Sequence, residues 1–138
     1  MDVAQNYRKH AISTQEPGRL LVMLYDGALR FLDIAEEKLE AGDDKAKWVY
    51  IGKAQDIVAE LNNSLNMEAG GELAHNLRAL YHYIHRELSV ANAERDVQKI
   101  RECREILEEL MDGWKQIVEK RDTAGSGAPL NQVASQQA

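Results

Sequence analysis

The chain has 138 residues, 23 acidic side chains against 17 basic ones, a net charge of −6, 44% hydrophobic residues and 29% charged residues. That length suits one domain burying about two-thirds of its unfolded surface, while the negative charge without a basic stripe excludes nucleic-acid binding and disfavours acidic membrane surfaces. The single cysteine, Cys103, has no internal disulfide partner, and the N-terminus lacks the charged-then-apolar pattern of a signal peptide, so a cytoplasmic location is expected.

Residues 1–15 carry Val3, Tyr7 and Ile12 among polar residues and have no strong cap, which reads as a short mobile N-terminal segment. Glu16-Pro17 then opens a first helix, with proline at the first helical position, where its missing N–H costs nothing. Along this helix Leu21, Tyr25, Ala28, Leu32, Ala35 and Leu39 form one apolar seam with heptad spacing. Val22 with Leu29 and Met23 with Ile34 fall off the seam, so the helix needs cover on more than one side. Stable membrane insertion is excluded, because Asp26, Arg30 and Asp33 interrupt the apolar run well short of the roughly 20 residues a span requires.

Gly42-Asp43-Asp44 ends that helix and caps the next, which is expected over 45–66 with the seam Ile51, Ala54, Val58, Leu61 and Leu65. Val49, Tyr50 and Ile57 lie beside this seam as a second rail. Gly70-Gly71 marks a turn before a third helix over 72–91, with Leu73, Leu77, Leu80, Ile84, Leu88 and Ala91 inward and at least one of Tyr81 and Tyr83 facing a groove or solvent. Asp96 opens a fourth helix to about residue 120, with Ile100, Cys103, Leu107, Leu110, Trp114 and Ile117 as its seam. Trp48 and Trp114 are expected to cap opposite ends of the core. Short connections force antiparallel neighbours, so the predicted fold is all-α, an up-down-up-down four-helix bundle over 16–121. The polar Gly-, Ser- and Gln-containing residues 122–138 are expected to form a disordered tail.

Little in the sequence points to catalysis. His75, His82 and His85 with Glu72 supply one Glu-x-x-His unit, whereas a ferritin-like metal site needs two such units and two further inward carboxylates, so neither metal nor cofactor is expected. A phosphotransfer bundle also carries an exposed histidine, but His82 is followed by Tyr83, Ile84, His85 and Arg86, not by the usual lysine and small residue. Cys103 falls on an inward seam, where a lone cysteine behaves as a small hydrophobe.

Leu24-Tyr25-Asp26-Gly27-Ala28-Leu29-Arg30-Phe31, Lys53-Ala54-Gln55-Asp56-Ile57, Gly71-Glu72-Leu73-Ala74 with Asn76-Leu77 and Leu80-Tyr81, then Asp96 and Trp114, resemble the flagellar export chaperone family FliS in order and separation. The resemblance covers Tyr7 to about Lys120 and departs at Glu16-Pro17-Gly18-Arg19, where the family usually has Ser-Pro followed by acidic or polar residues. It implies a cytosolic chaperone, not an enzyme, that binds the disordered C-terminal segment of flagellin, prevents premature polymerisation and hands the cargo to a component of the flagellar type III export gate. A helical adaptor for another flagellar regulator is the competing expectation, and exposed rails could pair two copies as a homodimer without cargo. Tyr25, Tyr50, Lys53, Ile57 and Tyr83 are the expected cargo surface, with Tyr7, on the segment similar to the family's mobile one, as a displaceable cover.

Overall fold

The computed structural model describes residues 17–124. Tyr7 with the expected mobile segment, and the tail from 125 onward, lie outside the described residues. Four helices follow one another: α1 (Pro17–Glu40), α2 (Asp44–Asn63), α3 (Gly71–Glu94) and α4 (Val97–Ala124). Each packs on its chain neighbour, and α4 returns to α1, which closes the ring of an antiparallel bundle. Among the described residues no helix is long and apolar enough to cross a membrane.

The helix ends follow from local chemistry. At the α1–α2 turn Gly42 takes a left-handed φ of 77°, and the Asp43 side chain accepts from the Ala46 N–H at 3.1 Å. Asp96 does the same for α4, its Oδ1 accepting from the backbone N–H groups of Gln98 at 3.0 Å and Lys99 at 3.3 Å. Gly70 lies where the α2–α3 connection passes so close that a Cβ would collide with the Ala74 side chain and the Asn66 carbonyl. Three boundaries differ from expectation, the first being α2, which stops at Asn63 with Ser64 as its C-cap and does not run to 66. Helix α3 continues past Ala91 to Glu94 and stops only where Arg95 turns left-handed, at φ 55°. Helix α4 runs through Ala124, beyond the start expected for the tail at 122.

The seams converge on one core, in which Leu32, Ile51, Leu61, Ile84, Leu88, Ile100 and Leu107 have no exposed surface. Each such side chain contributes about 1.5–3 kcal/mol of hydrophobic stabilisation. Alanines at 28 and 35 on α1 and at 54 on α2 are also fully buried, and these two helices share the most extensive interface in the bundle. The outer α1–α4 seam is fastened differently, by Arg101 to Glu36 at 2.9 Å and by Arg104 to Asp33 at 2.5 Å. Across α2–α3, the Gln55 side-chain amide donates to the His85 carbonyl at 2.9 Å and to Ser89 Oγ at 2.8 Å.

Candidate partner-binding surface

The expected surface residues divide sharply. Tyr25 and Ile57 are fully buried and offer nothing to a partner from the folded bundle. Ile57 was grouped with an outer rail because it flanks the heptad seam. However, α2 packs against both α1 and α3, so its buried stripe is wider than one seam and takes in both Ile57 and Val58. Tyr25 enters the core by pairing its hydroxyl. Trp114 Nε1 donates to it at 3.1 Å and the Tyr81 hydroxyl shares a short hydrogen bond with it, so α1, α3 and α4 meet at one buried polar point. Desolvation pushes the Tyr25 phenol up to about 12, against the hydrogen bonds from Tyr81 and Trp114. Tyr81 is likewise raised well above the ordinary phenol value, first by burial and then by Tyr25 beside it.

Tyr50 and Lys53 do reach the surface. The Tyr50 ring lies 6.0 Å from Phe31 on α1, tilted by 40°, and Lys53 extends its ammonium over both, 5.5 Å from the Phe31 centroid and 5.9 Å from that of Tyr50. This cation–π lid covers the α1–α2 edge over two partly buried aromatic rings. Tyr83 stands apart on α3, 39% exposed and met by Arg86, whose guanidinium carbon is 5.8 Å from the ring centroid.

The most exposed large apolar residue was assigned elsewhere by the sequence pattern. Trp48 is 67% exposed and does not cap the core, whereas Trp114, at 8%, does pack into it. The seam of α2 begins at Lys47, whose Nζ donates to the Asn92 carbonyl at 2.7 Å, and the next residue is thereby rotated outward. Trp48, half-exposed Val49, Gly52, Lys53 and Asp56 line one side of a shallow hollow, with His85 and Asn92 of α3 on the other. A Cβ on Gly52 would meet nothing within 4 Å, so no contact inside the bundle explains a glycine in mid-helix. Spacing did contain the signal: in the series Lys47, Ile51, Ala54, Val58, Leu61, a lysine occupies the inward register and a tryptophan the outward one.

The chemistry available is that of a binding surface. Cys103 is buried against the Ile84 carbonyl, and burial, with Glu87 and Glu102 nearby, pushes its thiol up to about 12, which leaves it inert as a nucleophile. Among the described residues no group of three or more His, Cys, Asp or Glu is placed to hold a metal ion.

The family profile "Flagellar protein FliS" matches residues 1–121. The chain belongs to the FliS family. It is 36% identical to the flagellar secretion chaperone FliS of Bacillus subtilis over 88% of this chain and 91% of that one. With the flagellar secretion chaperone FliS of Salmonella typhimurium the identity is 40% over 85% of this chain and 87% of the relative. A Vibrio cholerae relative of the same name is 32% identical over 82% of this chain. FliS proteins are chaperones and not enzymes, and the four-helix bundle described above is the scaffold this member uses.

Proposed function

We propose that this chain is a cytosolic export chaperone that binds the disordered C-terminal segment of flagellin, blocks its premature polymerisation and delivers it to the flagellar type III export gate. The observation that carries the reading is the outer face of α2, where Trp48 and Val49 are exposed beside the uncovered Gly52 and the lysine-lidded Tyr50–Phe31 pair. A disordered segment that becomes helical on binding can lay an apolar face there, its backbone approaching closely over Gly52. Ordering the cargo consumes part of the gross interaction energy and leaves a complex that can be undone at the export gate. Tyr50 and Lys53 keep their proposed cargo role, Trp48 and Val49 join them, and Tyr25 and Ile57 serve this face from beneath by holding α1 and α2 in place.

Calorimetric titration with the C-terminal segment of the organism's own flagellin, against a scrambled control, tests this reading. One-to-one binding with a negative heat-capacity change and a gain in helix by circular dichroism is expected, together with loss of binding in Trp48→Ser/Tyr50→Ala. Absence of heat from a folded protein whose residues 1–15 have been removed would sink the flagellin assignment in favour of an adaptor with another ligand. Sedimentation of the cargo-free protein distinguishes a homodimer paired through the uncovered face from a monomer.

A further inference from the structure

Helix α3 carries a second feature, of opposite electrostatic character to the rest of the molecule. In a chain of net charge −6, the fourteen residues from Leu73 to Arg86 contain no Asp or Glu, yet include His75, Arg78, His82, His85 and Arg86. All five are exposed. Four other described arginines are neutralised within the bundle: Arg30 by Asp26 at 2.8 Å, Arg95 by Asp44 at 2.9 Å, Arg101 by Glu36 and Arg104 by Asp33. Among the described residues Arg78 has no hydrogen-bond or ion-pair partner, and Arg86 is met by the Tyr83 ring.

An unpaired guanidinium on an acidic protein is a donor fork without an acceptor, and a carboxylate matches its geometry with two parallel hydrogen bonds. Stacking on Tyr83 holds the Arg86 fork in place before any partner arrives. The two arginines are eight residues apart, which on a helix places them about 12 Å from one another along the axis. Between them, on the α2 side, His82 and His85 border a shallow hollow floored by Val58 and Ala59. Asn62 holds the His82 ring there, its amide nitrogen 3.4 Å from Nε2.

We propose that the outward face of α3 is a docking site for an acidic helix of a partner protein, in which carboxylates two turns apart engage Arg78 and Arg86 while an apolar side chain between them enters the Val58–Ala59 hollow. The patch is too short for an extended polyphosphate, which would soon run onto the negative remainder of the surface, and the ring and the hollow favour a polypeptide. This site adjoins the Trp48–Lys53 hollow, because His85 borders both, but its two arginines lie outside that hollow and its occupant does not depend on the identity of the cargo.

The test uses the full chain and fluorescent helical peptides of about 18 residues, long enough to hold a helix. One carries two glutamates seven or eight positions apart flanking a leucine, one carries them four apart, and one has glutamine in their place. Anisotropy at low salt is expected to rank the two-turn peptide first and the glutamine peptide last. Arg78→Gln/Arg86→Gln should bind the first about tenfold or more weakly while its thermal melting is unchanged. Should that variant melt lower, Arg78→Lys/Arg86→Lys replaces it, and a loss of the two-turn preference with charge retained is the expected result. Equal binding of all three peptides, or no effect of either variant, would overturn the proposal. So would tighter arginine-dependent binding to a single-stranded oligonucleotide or to phosphatidylglycerol vesicles than to the two-turn peptide.

Discussion

Two aromatic groups in this bundle have similar composition and opposite fates. Tyr25, Tyr81 and Trp114 come from three helices and bury their polar tips against one another. Phe31 and Tyr50 stay partly buried under a lysine, and Trp48 on α2 is largely in solvent. What separates the tyrosines is a partner for the hydroxyl. A tyrosine enters the core when a second helix supplies a hydrogen bond across it, and otherwise stays at the rim with its hydroxyl wet. The first group therefore ties three helices of the bundle together, and the second lies at its surface.

The largest effect that could break this division is at Ile57. Its replacement by Asp forces an ionised carboxylate into a site with no exposed surface, and loss of the cooperative thermal transition by circular dichroism is expected. A folded Ile57→Asp protein that failed only in binding cargo would put Ile57 back on the partner surface.

Alkaline titration probes the buried group next. An unfolded tyrosine ionises near 10, whereas Tyr25 holds its proton to about 12 in the folded state. Below pH 10 both states are protonated and the stability is intact; as pH rises from about 10 towards 12 the unfolded chain loses the proton first, and stability falls by up to about 3 kcal/mol. Urea midpoints across this window measure the loss, and Tyr25→Phe/Tyr81→Phe should remove the tyrosine part of it.

Tyr25→Phe alone leaves the Trp114 N–H without its acceptor, so a loss of about 1–3 kcal/mol in urea unfolding at neutral pH is expected. The matching change at Tyr50, Tyr50→Phe, should cost much less, because that hydroxyl has no hydrogen-bond partner among the described residues. Smallest of all, Trp48→Ser is expected to shift stability by no more than about 0.5 kcal/mol while weakening cargo binding. A large stability loss there would show that the tryptophan belongs to the fold.

The four helices, their order and most of their inward residues were readable from apolar spacing: Ala28, Leu32, Ile51, Ala54, Leu61, Ile84, Leu88, Ile100 and Leu107 all lie in the core as their periodicity indicates. Spacing was less informative at Tyr81, which takes a buried position in preference to its half-buried neighbour Leu80. Its reason for being inside is the hydroxyl of Tyr25, 56 positions earlier in the chain, and no local pattern contains that pairing. Trp48 was misassigned for the converse reason, since a lysine is an unexpected core residue until the Asn92 carbonyl is seen to receive it. Within the candidate surface, the apolar surplus on α2 could be inferred in advance. Which of its members faced outward depended on packing against two neighbours at once.

The inward lysine also makes the bundle a clock for its own opening. Lys47 Nζ sits on a carbonyl in the last turn of α3, 4% exposed, while Lys45, two positions away, is in solvent. An amine-acylating reagent will modify Lys45 at the rate of a free side chain, but can reach Lys47 only in the moments when the α2–α3 end comes apart. The ratio of the two labels, read by peptide mass, reports how often that end breathes, and a ligand that clamps it will slow one label without touching the other.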